Sequence, residues 1–256
     1  GLKAVGESVK YPLKYYDVNV GGSISLLSAM SKVGCDNIVF SSSATVYGKP
    51  EYLPYDEKHP TNPVNPYGRT KLIVENIIND WTTEVSNRKG TVLRYFNPVG
   101  AHESGQIGEE PIGIPNNLMP YIAQVADGRR EYLNIFGNDY ETADGTGARD
   151  YIHVVDLAHA HVFALGQNKL NKFDVLNIGG GKSTTAFELL KKFEETSGIT
   201  IKFKYLPRRE GDLAAFWANS SKSSEKMSWK PERNIKKICE DTWRWHKLNP
   251  TGYGIE

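Results

Sequence analysis

The heptapeptide NPYGRTK, residues 65–71, is typical of the start of a helix. Asn65 can cap that helix, and Pro66 suits its first position. Short apolar runs lie on either side, at residues 37–42 (NIVFSS) and 91–96 (TVLRYF), and such runs are typical of buried strands. The alternation of helix and strand indicates parallel βαβ units and an α/β fold.

Apolar residues at helical spacing predict another helix over residues 13–33, which Gly34 ends. After Asn97 the regular pattern of helix and strand ends. Residues 98–115 contain four glycines and three prolines, which are too many for a regular element. Further helices are predicted at about residues 116–126, 156–165, 185–197, 220–227 and 235–248, and further strands at about 133–137, 149–154, 175–178 and 201–206. Asp156 is the expected cap of the helix that begins with it.

The composition is that of a globular protein with a sizeable core, with 256 residues, 39% of them hydrophobic, and a formal net charge of +1. The small charge gives no electrostatic reason to expect nucleic acid or a membrane surface as a partner. No apolar run approaches the ~20 residues of a membrane span. Cys35 and Cys239 are predicted to be free thiols, which favours a reducing, cytoplasmic compartment.

Tyr67 and Lys71 stand four residues apart and therefore share one face of the predicted helix. A nearby ammonium favours the phenolate, so Lys71 is expected to lower the pKa of Tyr67 and let it act as a base near neutral pH. Three serines at 41–43 close the preceding strand, where open parallel sheets bind their ligands. A hydroxyl there can donate to a substrate oxygen or accept from the phenol, although an ordinary strand-end turn remains the alternative.

Basic residues near predicted loops indicate an anion site, with ordinary surface charges as the alternative. They are Arg149, Lys182, Arg208 and Arg209. Asp212 adds a carboxylate that can bind ribose hydroxyls, and the helix start at Asn116–Asn117 offers backbone N–H groups to an anion. The glycine run at 179–181 fails the spacing of a phosphate-binding P-loop and is interpreted as a turn from strand to helix.

No metal site is expected. His153, Asp156, His159 and His161 are the candidate ligands, but His159 and His161 are two residues apart and diverge on a helix.

Eight blocks of sequence, in order along almost the whole chain, carry a family resemblance. They are GLKAVGES (1–8), FSSSATVYG (40–48), NPYGRTK (65–71), LRYFNPVGAH (93–102), IGIPNNLMPY (112–121), IFGNDY (135–140), DGTGARDYIHVVDLA (144–158) and RREGDLAAFWA (208–218). On these blocks the chain resembles the UDP-glucose 4-epimerase family, which belongs to the extended short-chain dehydrogenase/reductases.

The resemblance implies an α/β fold, with a Rossmann-like doubly wound parallel sheet whose N-terminal part is truncated and a smaller C-terminal α/β substrate-binding domain. Residues 1–97 would be the remainder of an NAD-binding domain, and residues 98–256 would mainly bind a UDP-sugar, with segments around 150–180 returning to the Rossmann sheet. No glycine fingerprint for a dinucleotide follows a strand in this chain, and in the family that fingerprint lies upstream of the first block. We therefore expect roughly 80–90 further residues in the complete protein, by which we mean the natural protein that contains this chain, and no stable NAD-binding enzyme from this chain alone.

Carried over residue by residue, the resemblance implies a catalytic triad of Ser43, Tyr67 and Lys71. Tyr67 resembles the family's base, and Lys71 resembles the residue that holds the nicotinamide ribose and lowers the tyrosine pKa. Lys3 and Tyr95 resemble further NAD contacts. The residues that resemble UDP-sugar contacts are Ser43, Ala44, Thr45, Asn97, Asn116, Asn117, Leu118, Asn134, Ile135, Phe136, Arg149, Arg209, Asp212 and Phe216.

The implied activity interconverts UDP-galactose and UDP-glucose, a step of galactose metabolism, by transient oxidation at C4 with bound NAD. The alternatives are another NAD-dependent sugar-nucleotide-modifying enzyme and a truncated, non-catalytic sugar-nucleotide-binding protein. Ala44 and Thr45 disfavour a dehydratase or a decarboxylase, because they replace the acid and base side chains that those enzymes carry. Phe216 is expected to exclude N-acetylated sugars. The helices at 13–33 and 66–88 are expected to pair in a homodimer of the complete protein.

Overall fold

The computed structural model describes residues 1–111, 113–115, 117–166, 170–209 and 211–254. The chain divides into two compact units. The first contains Gly1–Phe96, His159–Ile178 and Ala218–Lys230, and the second contains Asn97–Ala158, Gly179–Trp217 and Pro231–Glu256. The assignment of cofactor and substrate roles to parts of the chain stays a prediction.

The helices of the described chain are α1 (Val5–Lys10), α2 (Pro12–Tyr15), α3 (Gly22–Val33), α4 (Pro66–Glu84), α5 (Leu118–Ala126), α6 (Val154–Gly166), α7 (Ala186–Ser197), α8 (Ser221–Met227) and α9 (Ile235–Leu248). The strands are β1 (Asn37–Ser43), β2 (Lys89–Tyr95), β3 (Asn97–Val99), β4 (Leu133–Phe136), β5 (Ala148–His153), β6 (Phe173–Ile178), β7 (Ser183–Thr185), β8 (Phe203–Leu206) and β9 (Ala215–Phe216). A π-helical segment, Tyr16–Gly21, lies between α2 and α3, and a 3₁₀ turn, Ala44–Val46, follows β1.

A parallel sheet in the order β1–β2–β6 forms the centre of the first unit. Its strands are the short apolar runs that the sequence predicts, because a strand covered on both faces needs successive apolar side chains. Val92 and Leu93 of β2 and Leu176 of β6 are fully buried. α4 contributes Val74 and Ile78 to the apolar cluster beside this sheet. The predicted α/β class and the predicted parallel pairing are confirmed.

α4 begins as the heptapeptide predicts. Asn65 Oδ1 accepts a hydrogen bond from the backbone N–H of Gly68 at 2.8 Å, and Pro66 occupies the first position. Gly68 has a packing role, since a Cβ at this residue would lie 2.8 Å from the carbonyl oxygen of Thr45. The missing side chain lets the start of α4 approach the turn after β1 and brings Tyr67 with it.

The helix predicted over residues 13–33 is not continuous. The π-helical segment interrupts it and rotates the buried face, so that Tyr15 and Asn19 are buried while Ile24 is 48% exposed. Asn19 is held in this position because its Oδ1 accepts a hydrogen bond from the backbone N–H of Leu2 at 2.7 Å. An analysis of apolar spacing does not detect a buried polar residue of this kind.

The second unit combines short sheets with a helical core. β3 pairs with β5 in parallel, β7 and β9 also pair with β5, and β4 pairs with β8 in parallel. α5, α7 and α9 pack together through Met119, Ile122, Leu189, Phe193 and Ile238. The sequence does not predict β3, β7 or β9, because two or three residues are too few to show a periodic pattern.

Asp156 does not cap α6, so that prediction is wrong. α6 begins at Val154, and His153 Nδ1 accepts a hydrogen bond from the backbone N–H of Val155 at 3.1 Å. The buried Asp156 carboxylate instead accepts a hydrogen bond from the backbone N–H of Arg233 at 2.9 Å and pairs with the guanidinium of the same residue. A distant charge partner therefore outweighs the local preference of aspartate for a helix start.

Candidate functional sites

The turn after β1 determines the orientation of the Ser43 hydroxyl. Ser43 Oγ accepts hydrogen bonds from the backbone N–H of Thr45 at 3.3 Å and from Thr45 Oγ1 at 3.0 Å. A hydroxyl oxygen offers two acceptor positions and one proton. Because Thr45 fills both acceptor positions, the Ser43 proton is left for another partner. Sequence reasoning places Thr45 beside Ser43 but misses this orienting role.

Tyr67 is buried at the first turn of α4, where the Ser43 hydroxyl is close enough to influence its pKa. Burial, and then the neighbouring phenol of Tyr95, raise the pKa of Tyr67 to about 12, while the hydroxyl of Ser43 acts in the opposite direction. The expected lowering of this pKa by Lys71 is not observed, because burial dominates and Lys71 Nζ lies 5.8 Å from the centroid of the Tyr67 ring. In this structure Tyr67 therefore holds its proton at neutral pH.

Lys71 is a half-buried cation on the same face of α4. Its Nζ donates a hydrogen bond to the carbonyl oxygen of Ser41 at 2.7 Å and lies 4.8 Å from the centroid of the Phe40 ring. Burial lowers the pKa of Lys71 to about 8, and the carboxylate of Glu75 acts in the opposite direction. An ammonium carries three N–H donors, and the bond to Ser41 uses one of them.

Tyr95 and Lys3, the other two expected cofactor contacts, also belong to the first unit. Tyr95 ends β2 directly beside Ser43 of β1, and burial raises its pKa. Its phenol is close enough to raise the pKa of Tyr67, so it belongs to the same cluster. Lys3 is exposed and precedes α1.

A buried ion pair below this cluster is a further feature that sequence reasoning misses. Arg94 of β2 donates to Glu75 of α4 at 2.6 Å, and both side chains are less than 8% exposed. Glu75 follows Lys71 by four residues, so the helical spacing contains a signal for a charge on this face. The pair ties α4 to β2 and thereby supports Tyr67 and Lys71, and removing one partner would leave a buried charge uncompensated.

A cleft of about 500 Å³ lies within the second unit, and its size is typical of small-molecule sites. Most of the expected substrate residues line it: Asn97, Asn117, Leu118, Asn134, Ile135, Phe136, Arg149, Arg209 and Asp212. Three tyrosines that sequence reasoning does not name, Tyr121, Tyr140 and Tyr151, line it as well. Asn116 lies outside the described residues.

Two arginines share one carboxylate at this cleft. Arg209 Nε donates to Asp212 Oδ2 at 2.8 Å, and Arg149 lies 3.7 Å from the same carboxylate. Burial lowers the pKa of Arg149 below its usual value, so its charge lies in a poorly solvated place. An anion with two or more charged oxygens can replace Asp212 as the partner of both guanidinium groups. The arrangement can therefore bind a diphosphate.

Other polar groups of the cleft are also available to a ligand. Asn117 precedes α5, and among the described residues its side chain makes no capping hydrogen bond, so the first N–H groups of α5 remain for an anion. Asn134 Oδ1 and the Tyr140 hydroxyl are buried without a hydrogen-bond partner in the described part of the chain. Unpaired buried polar groups are costly and often mark a place where a ligand binds.

Phe216 is placed differently from what the sequence suggests. It is not among the residues that line the cleft, although it pairs with Arg149 in the β5–β9 ladder. The guanidinium of Arg149 lies 4.7 Å from the centroid of its ring. Phe216 therefore packs against an arginine of the cleft. This contact is separate from the expected exclusion of N-acetylated sugars by the bulk of its ring.

The candidate metal ligands are separated. His153 pairs with Asp241, Asp156 pairs with Arg233, and His161 contacts Ser41. Among the described residues, no group of three or more His, Cys, Asp or Glu side chains is arranged to hold a metal ion. A search of the same residues finds no helix long and apolar enough to cross a membrane.

Comparisons with known proteins identify the family. The family model described as GDP-mannose 4,6 dehydratase matches residues 1–242. The human UDP-glucose 4-epimerase is 53% identical over 258 residues, which cover 100% of this chain and 74% of the human protein.

Solved structures agree with this assignment. The crystal structure of the UDP-glucose 4-epimerase from Stenotrophomonas maltophila, with bound NAD and formylated UDP-arabinopyranose, superposes with a TM-score of 0.94 at 47% identity, over 98% of this chain and 75% of that one. The enzyme from Bifidobacterium longum, in complex with NAD+ and UDP, superposes with a TM-score of 0.93 at 46% identity, over 99% of this chain and 76% of that one. The expected Rossmann-like fold is confirmed by these similarities. The chain belongs to the family that the matching model describes and, within it, to the UDP-glucose 4-epimerases.

Proposed function

We propose that the complete protein interconverts UDP-galactose and UDP-glucose by transient oxidation at C4, as a step of galactose metabolism. The observation that carries this proposal is the cluster of Ser43, Tyr67 and Lys71, in which Thr45 leaves the Ser43 proton available for Tyr67. This cluster can move a proton to and from a sugar hydroxyl, and the strong identity to UDP-glucose 4-epimerases supports C4 as the reacting position.

Tyr67 takes the proton of the sugar O4 hydroxyl and returns it after the ring has turned over. Its pKa of about 12 makes it a strong base once ionised, but only a small fraction is ionised at neutral pH. The Ser43 hydroxyl donates to the phenolate or to the sugar oxygen and thereby stabilises the charge that develops. The 4-keto sugar that forms between the two proton transfers carries no new charge. Tyr67 and the sugar oxygen therefore need only pass one proton across and back.

NAD is the cofactor implied by the family, and when bound it supplies the acceptor and then the donor of the hydride. The residues present fit it, because Lys71 is half-buried and has N–H donors beyond the one placed on Ser41. Lys71 would hold the nicotinamide ribose, and Tyr95 and Lys3 would contribute further contacts. We propose that residues 1–97 carry this role and that residues 98–256 mainly carry the substrate.

The cleft of the second unit binds the UDP portion of the substrate in this proposal. Arg149 and Arg209 hold the diphosphate and release Asp212 to the ribose hydroxyls. The segment Asn134–Phe136 faces the base, and Asn97 with Asn117 and Leu118 completes the wall. Ala44, Thr45 and Phe216 act at the sugar.

A 4,6-dehydratase is the second candidate, because the matching family model is described as one. Such a reaction must remove the proton at C5 and expel the hydroxyl at C6, and this requires an acid and a base beside Tyr67. The neighbouring residues are Ala44 and Thr45, and neither side chain ionises near neutral pH. The chemistry of this turn therefore favours the epimerase.

The test incubates the complete protein with UDP-galactose and follows the products by chromatography and by absorbance of reduced cofactor. We expect UDP-glucose without accumulation of reduced cofactor. A dehydrated product, a stoichiometric build-up of reduced cofactor, or UDP binding without turnover would each contradict the proposal.

We further propose that the complete protein is a homodimer paired through its N-terminal helices and α4. The supporting observation is an exposed set of large apolar side chains on the N-terminal helical segments: Leu13, Val18, Ile24, Leu26 and Val33. Light scattering after size exclusion tests it. We expect a dimer that Leu26→Glu converts to a monomer, while Leu248→Glu, at another exposed leucine, leaves it intact. A monomeric wild-type protein would contradict the proposal.

A cytoplasmic location is proposed on the state of the cysteines. Cys35 is exposed and Cys239 buried, and both are free thiols. Cell fractionation of the tagged complete protein tests the location, and recovery in a secreted or membrane fraction would contradict it.

A further inference from the structure

Two buried polar residues that the proposed reaction does not use lie on either side of the turn that orients Ser43. Ser42 directly precedes Ser43, and Tyr47 directly follows the 3₁₀ turn Ala44–Val46. Both side chains are fully buried. A buried hydroxyl is costly without a hydrogen-bond partner, so the partners of Ser42 and Tyr47 indicate what holds the two ends of the turn.

Ser42 binds the carboxylate of Glu75. Its Oγ donates a hydrogen bond to Glu75 Oε1, which also accepts from Arg94 Nε at 3.0 Å. The second carboxylate oxygen, Oε2, accepts from the Arg94 guanidinium at 2.6 Å. Hydrogen bonds to an ionised group are stronger than those between neutral groups. The start of the turn is therefore tied to the buried ion pair between α4 and β2.

Tyr47 contacts the other member of the same ion pair. The central carbon of the Arg94 guanidinium lies 4.9 Å from the centroid of the Tyr47 ring, a distance typical of a cation–π contact. The Tyr47 hydroxyl donates to Asn177 Oδ1 at 2.6 Å, and Asn177 Nδ2 donates to the carbonyl oxygen of Tyr55 at 3.0 Å. Because Arg94 lies on β2 and Asn177 on β6, the central sheet fixes both the ring and the hydroxyl of Tyr47.

One buried ion pair therefore contacts the residues on both sides of the Ser43 turn. The side chains of this network are at most 6% exposed: Ser42, Tyr47, Glu75, Arg94 and Asn177. Because each polar group is paired with another buried group, a rotation of the turn would leave a partner unpaired in a poorly solvated place. The network therefore opposes any change in the conformation of the turn.

We propose that this ion pair, acting through Ser42 and Tyr47, positions the hydroxyl of Ser43. Ser42 and Tyr47 are positioning residues: they hold the turn in the conformation in which Thr45 occupies the acceptor positions of Ser43 and leaves its proton for Tyr67. Neither of them touches the reacting atoms in this scheme. The inference rests on the proposed function, because it concerns the hydroxyl that assists Tyr67 in that reaction.

Kinetics of the complete protein with UDP-galactose give the first test. Ser42→Ala removes the hydrogen bond at the start of the turn, and we expect kcat to fall about 10-fold with KM changed less than about twofold. Ser223→Ala is the matched control, since Ser223 is also a fully buried serine of the first unit and its hydroxyl donates to the carbonyl oxygen of Ser220 at 2.8 Å. It should keep the wild-type kcat. An equal fall of kcat in the two variants, or a rise of KM in place of the fall, would overturn the proposal.

A double-mutant cycle tests whether Ser42 and Tyr47 act through Ser43. Ser43→Ala removes the hydroxyl that the turn orients, so adding Ser42→Ala to it should lower kcat by less than about twofold further. Tyr47→Phe removes only the bond to Asn177, and we expect it to lower kcat about 3-fold alone and to have no effect in the Ser43→Ala background. Losses that multiply in either pair would overturn the proposal, because the residue would then act elsewhere.

Amide hydrogen exchange measures the state of the turn without turnover. The backbone N–H of Thr45 donates to Ser43 Oγ at 3.3 Å, so its exchange rate shows whether that bond is kept. We expect the Thr45 amide of the complete protein to exchange about 10-fold faster in Ser42→Ala and at the wild-type rate in Ser223→Ala. An inactive wild-type protein would contradict the proposed function alone. Unaltered exchange of Thr45 in Ser42→Ala would overturn the positioning role, whether or not kcat falls.

Discussion

The two units of this chain use opposite kinds of chemistry. In the first unit, Tyr67 is buried and Lys71 half-buried, and both of their pKa values are shifted in the direction that favours the neutral form, to about 12 and about 8. In the second unit, the charges of Arg149 and Arg209 are retained and share the carboxylate of Asp212. The site of the first unit disfavours charged side chains. The site of the second unit holds two positive charges beside a carboxylate that a ligand can replace.

The difference fits the roles that we propose for the two sites. Proton transfer needs groups whose charge changes during the reaction, and burial disfavours the charged form of each, so it raises the pKa of Tyr67 and lowers that of Lys71. Binding a diphosphate needs permanent positive charge in a rigid arrangement, which arginine supplies because it does not deprotonate. Substitutions in the first unit should therefore change turnover, and substitutions in the second should change binding.

The largest expected effect is on turnover. Tyr67→Phe removes the only atom of this residue that can exchange a proton, so we expect kcat to fall by about 10³-fold with the dissociation constant of UDP unchanged. Steady-state kinetics and calorimetry measure the two quantities. Tyr205→Phe, at an exposed tyrosine of β8, is the control. A loss of UDP affinity equal to the loss of turnover would remove the distinction between the units.

Arg149 provides the converse substitution. Arg149→Ala removes a poorly solvated guanidinium from the cleft, and we expect the affinity for UDP to fall by about 10–100-fold, as for the loss of charge-assisted hydrogen bonds. Calorimetric titration with UDP measures it. Arg244→Ala, at an arginine exposed on α9, should bind UDP as the wild type does. Unchanged affinity in Arg149→Ala would show that the cleft is not the diphosphate site.

Phe216 packs against Arg149, and we propose that it also limits the size of the sugar. We expect little turnover of UDP-N-acetylglucosamine by the wild type, and Phe216→Ala should raise the ratio of its kcat/KM to that of UDP-glucose by about 10-fold. Because the ring also supports Arg149, the same variant should bind UDP more weakly. Phe163→Ala, at an exposed phenylalanine of α6, is the control. Comparable wild-type rates on the two sugars would refute the assignment of Phe216.

The smallest effect concerns stability and the burial of Lys71. Its pKa is about 8 in the folded chain against 10.5 for the ordinary side chain, so between these values the unfolded chain binds more protons and stability rises with pH. The contribution of Lys71 is therefore present above the unfolded value and lost as the pH falls through about 8. The free energy of unfolding of Lys71→Met, relative to that of the wild type, should therefore be about 1–3 kcal/mol higher at about pH 7 than at about pH 10.

Urea unfolding of the nucleotide-free protein at the two pH values measures this difference. Lys182→Met, whose lysine is 79% exposed, should show no such pH dependence. If Lys71→Met is no more stable relative to the wild type at the lower pH than at the higher one, the ammonium of Lys71 is not desolvated in the folded protein.

Much of the first unit can be predicted because its signals are local. Asn65, Pro66 and the helical spacing of α4 predict a capped helix, and the apolar runs of β1 and β2 predict buried parallel strands. The residues that end up around Tyr67 are near one another in the sequence or lie at adjacent strand ends. A sequence pattern can express such relations.

The remaining features depend on distant partners. Asp156 pairs with Arg233, Glu75 pairs with Arg94, and no spacing rule links these residues. The expectation that Lys71 lowers the pKa of Tyr67 is wrong for this structure because a pKa depends on burial, which the sequence does not contain. The burial of Asn19 in the π-helical segment likewise involves a tertiary contact, since its Oδ1 accepts a hydrogen bond from the backbone N–H of Leu2, 17 residues away.

The central claim is that Tyr67 moves only an oxygen-bound proton and that no residue of the cluster removes a proton from carbon. The direct test incubates the complete protein with UDP-galactose in deuterium oxide and examines the product by mass spectrometry and NMR. We predict UDP-glucose with every carbon-bound hydrogen retained and with no deuterium at C4 or C5. Deuterium at C5, or a dehydrated product, would contradict the account and favour a dehydratase.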